Sequence, residues 1–552
     1  MKEVHQLISK AVKQALDQDI EVELSVPEEQ FGDYATNVAL QLGKKLSANP
    51  REVAEKIVAA LEKGSIIAEA TIAGPGFINL KLTDQTLWQA AGASPIQSLS
   101  NQSILLEYSC PNAFKELHTG HLYQTIAGDT IGRLLEASGA SVFRANFGGD
   151  VGLHVARCLW GIQNMLAQGD PASLDQVPEE GRTQWISQAY VLGAKADSED
   201  EVAANEIKII NKQIYAFHSE NDHDSELAKI YWQCREWSYD YFKAFYEQLE
   251  VHAFDKYYPE STVMEPGLKL VKDNIGKVFE DSQGAVVFKG EDKGLHTRVF
   301  ITSAGLPTYE AKDLGVIVTE IQDFEYDKRV LITGSDQTEY MKVVFASLGE
   351  IDSELAAKQN HLTNGTIRFG DGQKMSSRLG NVTRAAEVLE TVAKVVQADT
   401  PQLRRDITLG AVKYSFLKQR IGGDIAFDVS ESVSLQGNSG PYLQYAHARA
   451  RSILAKAKSA NAEVEELEAG ERSLVRKLGD YARVVEQATS ELMPHLICTY
   501  LYELSQEFNR FYENSRVIDD PREKQRLALV TQYADTLKSG LELLNIPTPE
   551  KM

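Results

Sequence analysis

Hydrophobic and polar positions change their period twice along the chain, which divides it into three parts. Helical spacing at 2–17 and 50–63, together with the alternating run FINLKL at 77–82, predicts a small α/β domain. A polar segment rich in small residues, 92–103, has the composition of a linker. We therefore predict a first domain over residues 1–97.

In the second part, residues 98–430, short hydrophobic runs alternate with helical spacing. The predicted strands are 104–106, 142–146, 285–288, 298–301 and 329–333. Strands separated by helices form parallel sheets, which bind ligands at their carboxyl ends. Acidic, mostly helical sequence from about 160 to 285 interrupts the alternation. We predict an α/β domain of Rossmann type with a parallel sheet and a helical insertion, whose aromatic helix at 226–249 belongs to a core.

The third part, residues 431–552, keeps helical spacing and predicts an all-α helical bundle. Charge limits what the chain can bind, because its formal net charge is −22 and argues against a uniformly basic surface for nucleic acid. RNA would need a local patch such as 442–458, which can also be read as an exposed helix face. The four cysteines are scattered singly, and we recognise neither a secretory leader nor a bilayer-spanning run. A cytoplasmic protein is expected.

Candidate chemistry begins with EYSCPNAFKELHTGH at 107–121, which follows a predicted strand and opens into a helix near Thr119. The N–H groups of a helix N-terminus bind phosphate, and His118 and His121 add further donors. Gly120 would let a flat base approach the backbone. Alternatively, the histidines are caps or core residues.

A second glycine-punctuated stretch, GDGQKMSSRLG at 370–380, carries Lys374, Met375, Ser376 and Ser377. Cations and hydroxyls on a flexible backbone suit a loop that closes over a triphosphate, although a solvated basic turn has the same composition. H-x-G-H followed some 250 residues later by K-M-S-S resembles the two signatures of class I aminoacyl-tRNA synthetases.

Between these stretches, Tyr309 and Asp313 are four residues apart, so on a helix they share a face. A carboxylate backed by a phenol could hold a guanidinium, but Asp313 could also be a cap or a surface acid. Gly334, Asp336 and Gln337 directly follow a strand, where a ribose or substrate would be met. In FINLKL, Phe77 and Asn79 share a face that could read an unpaired base, or they are ordinary core residues.

Longer motifs make the resemblance specific. YEAKD (309–313), GSDQ (334–337), KMSSRLGN (374–381), GPYLQYAHARARSIL (440–454) and the ending LLNIPTPEKM are similar, in order, to blocks of the arginyl-tRNA synthetase family. The resemblance implies an N-terminal domain that contacts the tRNA D-loop, a Rossmann-type catalytic domain, and a C-terminal helical domain, 431–552, that receives the anticodon.

The resemblance also implies roles for individual residues. The arginine pocket would be lined by Glu107, Asn112, Tyr309, Asp313 and Gln337. ATP would be bound by His118, Gly120, His121, Gly334, Asp336, Lys374, Met375, Ser376 and Ser377. The tRNA would be contacted by Phe77, Asn79, Tyr442, Tyr445 and Arg449. Ser377 stands where the wider class has a second catalytic lysine, so Lys115 is expected to act with His118, His121 and Lys374.

The implied reaction is ATP-dependent ligation of L-arginine to tRNA(Arg) through arginyl-adenylate, with tRNA required for activation. Mg²⁺ would arrive with ATP, no structural metal or membrane partner is expected, and a monomer is the family's usual state. Two alternatives are a class I synthetase for another amino acid and an inactive paralogue that binds tRNA as a regulator.

Overall fold

The structure is a computed structural model that describes residues 2–166, 169–370, 383–456 and 466–552. Its N-terminal domain is a three-stranded antiparallel sheet in the order β1-β3-β2, with helices packed on it. The elements are α1 (Lys2–Leu16), β1 (Tyr34–Thr36), α2 (Val38–Leu46), α3 (Pro50–Ala60), β2 (Ile67–Ala73), β3 (Phe77–Leu82) and α4 (Asp84–Ala91). The predicted small α/β domain is confirmed.

A five-stranded parallel sheet in the order β11-β10-β4-β5-β6 forms the centre of the molecule. Its strands and the helix after the first are β4 (Ser103–Glu107), α5 (Thr119–Ala137), β5 (Ser141–Gly148), β6 (Lys256–Pro259), β10 (Lys328–Gly334) and β11 (Gln359–Asn364). The chain moves from β4 outward to β5, whereas β10 lies on the other side of β4. The strand order therefore reverses between β4 and β10, where such sheets bind ligands.

Two predicted strands do not join this sheet. Residues 285–288 and 298–301 form β8 (Ala285–Phe288) and β9 (Arg298–Ile301), which pair antiparallel with each other and with β7 (Glu280–Ser282). A connection of nine residues favours a hairpin, because a parallel crossover needs a dozen or more. The parallel sheet instead includes β6, which lies within the predicted insertion.

The helical insertion consists of α6 (Leu153–Met165), α7 (Arg182–Glu199), α8 (Glu201–Ser219) and α9 (Glu226–Gln248). It has its own hydrophobic core, which also takes in Ala113 and Phe114 from the segment after β4. The aromatic residues of α9 are mostly buried, as predicted. After β6 the chain forms α10 (Glu260–Asp273) and, beyond the hairpin, α11 (Tyr309–Asp323).

The remaining helices connect the sheet to the C-terminal bundle. They are α12 (Thr338–Ile351), α13 (Ser353–Ala357), α14 (Ala385–Val395), α15 (Pro401–Leu417) and α16 (Val429–Ser432), with a two-stranded parallel ladder of β12 (Ile367–Phe369) and β13 (Ile425–Phe427). The bundle consists of α17 (Gly440–Leu454), α18 (Ala469–Gly479), α19 (Tyr481–Glu491), α20 (His495–Asn514) and α21 (Glu523–Leu543), which confirms the predicted fold class. Within the described ranges, no helix has the length and apolar character needed to cross a membrane.

The N-terminal domain is attached to the bundle by buried charge. Arg472 on α18 donates to Asp33 (Nη2–Oδ2 2.6 Å) and also pairs with Asp84 at the start of α4. Asp33 in turn accepts from the backbone N–H of Leu82 at 2.7 Å. The end of β3 is therefore held by the bundle.

Candidate active site

A cleft of about 690 Å³ opens at the reversal point, beside the carboxyl ends of β4 and β10. Every residue predicted for the arginine pocket lines it, and so does every described residue predicted for ATP: Glu107, Asn112, His118, Gly120, His121, Tyr309, Asp313, Gly334, Asp336 and Gln337. The K-M-S-S residues Lys374, Met375, Ser376 and Ser377 lie outside the described residues. Residues up to 260 positions apart in sequence share one cavity because parallel strands end at the same edge of the sheet.

The two histidines cap α5 reciprocally. His118 Nδ1 accepts from the N–H groups of Gly120 (3.0 Å) and His121 (3.4 Å), and His121 Nδ1 accepts from the N–H of His118 (3.3 Å). The N–H of Thr119 donates to the carbonyl of Thr383, and that of Leu122 to the carbonyl of His118. The first-turn donors that the sequence suggested for phosphate are therefore already used inside the protein.

The capping contacts also determine the tautomer of both rings. Since each Nδ1 accepts a hydrogen bond, the proton of each neutral imidazole must be on Nε2. Burial, and after it the charge of Lys115, lowers the pKa of His118. Burial, then His118 and Lys115, lower the pKa of His121 well below its usual range. Two neutral, stacked rings therefore stand at the cleft, each with one N–H to donate.

Gly120 serves the cap rather than an approaching base. A Cβ there would lie 2.8 Å from Cε1 of the His118 ring, closer than real carbon atoms pack. The residue type that we associated with ligand access is thus required by the capping ring itself.

The chain beyond the second signature returns to the first. Ala385 N donates to Leu117 O (2.8 Å), and Arg384 forms an antiparallel bridge with His118. Arg384 also pairs with Glu116 (Nη1–Oε1 3.4 Å). Residues 383–385 are therefore attached directly to the base of the histidine cap.

Of the two acids in the predicted arginine pocket, one is paired with a cation and the other is not. Glu107, at the end of β4, pairs with Arg329, which is 1% exposed and also donates from Nε to Glu320 (2.6 Å). The Asp313 carboxylate has no hydrogen bond or ion pair to any residue that the structure describes. Burial, followed by the negative charge of Glu107, raises the pKa of the Asp313 carboxyl well above its usual range. Unlike Glu107, the Asp313 carboxylate therefore lacks a cation among the described residues.

The wall around Asp313 contains residues that the sequence did not single out. Lys312 and Glu260 form a buried ion pair (Nζ–Oε2 2.5 Å), and the Lys312 ammonium lies 5.3 Å from the centre of the Tyr309 ring. At Gly149, a Cβ would lie 2.3 Å from Asn112 Oδ1, so a glycine is needed for Asn112 to fit. The side chains of Asn112 and Gln337 have no hydrogen-bond partner in the described part of the chain. Gly149 belongs to the glycine-rich turn FGGDVG at 147–152, and Lys312 belongs to the YEAKD block.

Other residues missed by the sequence analysis are Gln124, Arg298, Tyr340 and Asn364, which also line the cleft. Arg298 belongs to β9 and pairs with Glu310 (Nη1–Oε1 3.1 Å). No local pattern marks these residues, because each comes from a different element and the fold alone brings them to the cavity.

Lys115 is not part of the cleft lining. Its ammonium lies 4.6 Å from the centre of the Tyr190 ring on α7, and the side chain borders a small void in the insertion together with Ser238 and Tyr241. It is nevertheless close enough to lower the pKa of both signature histidines. The predicted catalytic lysine thus stands behind the histidines, on the side of the insertion.

None of the residues predicted for tRNA lines the cleft; they belong to β3 and α17. On β3, Phe77 is 42% exposed, whereas Asn79 is 7% exposed and belongs to the interior. On α17, Tyr442 accepts from Asn509 (2.9 Å), and Tyr445 is 42% exposed. The Arg449 guanidinium lies 4.6 Å from the centre of the Tyr512 ring.

Tyr445 borders a groove of about 790 Å³. The exposed side chains of Val395 and Leu435 and the last residue, Met552, line the same groove. The sequence signal for Met552 was the family-like ending, which we did not connect with a site.

A reversing parallel sheet, an H-x-G-H helix cap at its first strand and a cleft between β4 and β10 define the catalytic domain of a class I aminoacyl-tRNA synthetase. Three family models agree with this class and cover nearly the whole chain. They are the arginyl tRNA synthetase N terminal domain (residues 2–82), the catalytic domain of class I (R) tRNA synthetases (84–429) and the DALR anticodon binding domain (443–552). The chain belongs to the arginyl-tRNA synthetase family.

Curated relatives and solved structures are similar over almost their full lengths. The arginine–tRNA ligase of Thermobifida fusca is 31% identical over 95% of this chain and 94% of its own length, and that of Bdellovibrio bacteriovorus is 31% identical over 95% and 93%. The arginyl-tRNA synthetase of Thermus thermophilus has the same fold, with a TM-score of 0.80 at 24% identity over 100% of both chains. The enzyme from Plasmodium falciparum gives 0.79 at 21% identity, over 100% of this chain and 99% of its own.

Proposed function

We propose that this chain joins L-arginine to tRNA(Arg) in an ATP-dependent reaction that passes through arginyl-adenylate. The observation that supports this most directly is the unpaired Asp313 carboxylate, which faces the same cavity as the histidine pair. A cleft carboxylate without a cation is complementary to a guanidinium, the side chain that best satisfies a carboxylate bidentately.

Arginine binds with its guanidinium on Asp313 and Tyr309, and with its α-amino acid end on Asn112 and Gln337. The two amides have unused donors and acceptors, which suit an ammonium and a carboxylate together. Glu107 contributes differently from the first expectation. Because its carboxylate is held by Arg329, it adds negative potential to the pocket rather than a free ligand.

ATP binds with its phosphates at His118 and His121 and with its ribose near Gly334 and Asp336. Both histidines are neutral Nε2–H donors, so they neutralise no charge and instead donate hydrogen bonds to phosphate oxygens. Mg²⁺ arrives on the triphosphate as part of the substrate. Lys374, Met375, Ser376 and Ser377 supply the remaining contacts in this proposal.

In the first step, the arginine carboxylate attacks the α-phosphate in line, and pyrophosphate leaves. In the second step, the 2′-hydroxyl of the terminal adenosine takes the arginyl group and AMP leaves. The protein acts by positioning the reactants and stabilising phosphate charge. Cys110 lines the cleft but is unsuited to act as a nucleophile, because burial, followed by the charge of Glu107, raises the pKa of its thiol well above its usual range.

For the tRNA, Phe77 stacks on an unpaired D-loop base, since its ring is exposed at the start of β3. Tyr442, Tyr445 and Arg449 receive the anticodon arm, and the groove lined by Tyr445 and Met552 offers a surface for an unstacked base. Asn79 acts from the interior, as a support for Phe77 rather than as a direct contact. We also propose that the chain is a monomer and is located in the cytoplasm. Sedimentation of the purified chain tests the monomeric state.

Charging of total tRNA with each labelled amino acid in turn tests the proposed activity. We expect arginine alone to be incorporated. Incorporation of another amino acid would support a different class I specificity, and no incorporation would support an inactive, tRNA-binding paralogue.

The roles of Lys115 and of tRNA are tested by arginine-dependent pyrophosphate exchange. We expect Lys115→Ala to slow the exchange reaction. The activation free energy should rise by about 2–4 kcal/mol, as for the loss of one transition-state donor. Near-normal exchange in that variant would remove Lys115 from the mechanism. Robust exchange by the wild type without tRNA would contradict the tRNA requirement.

A further inference from the structure

The segment between β4 and α5 has an unusual backbone. Three of its non-glycine residues have positive φ angles: Ser109 (70°), Cys110 (47°) and Phe114 (63°). Left-handed conformations cost about 1–2 kcal/mol for such residues and persist only where the surroundings enforce them. For Phe114, the surroundings that enforce this conformation belong to the helical insertion.

The middle of the segment is buried in the insertion, not in the core of the sheet. Phe114 is fully buried in the insertion's hydrophobic core and stacks on Tyr231 of α9 with 5.7 Å between ring centres. Ala113 lies in the same core. On the β5 side, the segment between β4 and α5 makes the backbone hydrogen bonds Tyr108 N to Ala145 O (3.3 Å) and Ala113 N to Gly149 O (2.8 Å).

Hydroxyl groups of α9 satisfy the backbone donors that the irregular segment leaves free. Phe114 N donates to Ser238 Oγ (3.0 Å), and Leu117 N donates to Tyr241 OH (3.4 Å). Ser238 Oγ donates its own proton to Cys234 O (2.9 Å), which leaves it oriented as an acceptor. The two hydroxyls are three residues apart, so they lie on one face of the helix.

These two contacts flank the residues that the proposed mechanism uses. Lys115 follows Phe114 directly, and His118 follows Leu117 directly. Ser238 and Tyr241 also border the same small void as the Lys115 side chain. Fixing the N–H groups on both sides of 115–116 therefore fixes where Lys115 and the histidine cap stand relative to each other.

We propose that Ser238 and Tyr241 are positioning residues for adenylate formation, and that the helical insertion sets the backbone conformation of the segment before His118. The two hydroxyls hold the backbone at Phe114 and Leu117, and touch no reacting atom. The kinetic part of this inference rests on the proposed function, whereas the backbone part does not.

The test compares Ser238→Ala, Tyr241→Phe and the double variant with the wild type. Each substitution removes one hydroxyl and keeps the rest of the side chain, so the fold is retained. Tyr239→Phe is the matched control, because it removes a hydroxyl from the same helix at a position with no hydrogen bond to the described residues. Ser238→Thr restores a hydroxyl and should recover the wild-type behaviour.

The first readout is hydrogen exchange of the Phe114 and Leu117 amides in the full-length protein. Loss of a hydrogen bond worth about 1 kcal/mol should speed exchange roughly fivefold or more at these amides and leave the β4 amides unchanged. Unchanged exchange at both amides would overturn the proposal. This readout requires no catalytic activity.

The second readout is arginine-dependent pyrophosphate exchange with tRNA present. We expect the double variant to lose between about 10- and 100-fold in kcat, as for a displacement near 1 Å, with KM for arginine within about twofold of the wild type. A kcat equal to that of Tyr239→Phe, or equal losses in kcat and arginine affinity, would show a merely structural role. If pyrophosphate exchange by the wild type does not depend on arginine, the proposed function is wrong. Hydrogen exchange at Phe114 and Leu117 still tests whether Ser238 and Tyr241 hold the backbone.

Discussion

Removing the charge of Asp313 provides the sharpest test of how the cleft selects its substrate. Asp313→Asn keeps the shape of the side chain and leaves a bound guanidinium without its carboxylate. Breaking a buried ion pair on one side costs about 3–5 kcal/mol. Glu107 and Glu260 keep part of the negative potential near Asp313, so we expect the lower end, about 3 kcal/mol. At 1.4 kcal/mol per tenfold, KM for arginine should rise roughly 100-fold.

The same substitution should not weaken the free protein. The pKa of Asp313 is raised in the folded state, so its ionised form opposes folding at neutral pH. The stability lost to this group is recovered as pH falls through the raised pKa. We therefore expect Asp313→Asn to leave Tm unchanged or to raise it at pH 8 in the absence of arginine. In the wild type, arginine affinity should weaken as pH falls through that pKa.

Pyrophosphate exchange with tRNA(Arg), at varied arginine concentration, measures KM, and thermal unfolding measures Tm. Asp323→Asn is the matched control, because Asp323 is on the same helix but pairs with Lys256 away from the cleft (Nζ–Oδ2 2.7 Å). Its KM for arginine should equal the wild-type value. An Asp313→Asn enzyme whose KM stays within about threefold of the wild type, or whose Tm falls clearly at pH 8, would refute the reasoning.

Three further substitutions separate structural from ligand contacts. Glu107→Gln should lower the free energy of unfolding by about 3 kcal/mol in urea titrations, since Arg329 loses one of its buried partners. His118→Asn should retain the helix cap but lose the Nε2–H donor. We expect the free energy of unfolding to stay within about 1 kcal/mol of the wild type and the activation free energy of adenylate formation to rise by about 2–4 kcal/mol. A loss of stability without a loss of rate would contradict the assignment. Phe77→Ala should raise KM for tRNA by the equivalent of about 1–3 kcal/mol without changing KM for ATP, and an unchanged KM for tRNA would remove Phe77 from the interface.

Much of the cleft could be predicted from short motifs because its geometry follows from chain order. His118 and His121 follow the first strand of a parallel sheet, and Gly334 to Gln337 follow a second. The carboxyl ends of adjacent strands meet, so residues after each strand must converge. The strands at 285–288 and 298–301 exist, but they were assigned to the wrong sheet, because a short hydrophobic run does not identify its pairing partner.

Residue identity and local spacing were enough to establish the element order, the motif residues of the cleft and the family resemblance. The packing of the elements was needed to show which of those groups have partners. Glu107 is paired with Arg329, 222 residues away, whereas Asp313 has no partner within the described ranges. Likewise, Phe114 is held by Ser238 across 124 residues. No local pattern predicts such contacts, because they depend on how distant helices and strands pack.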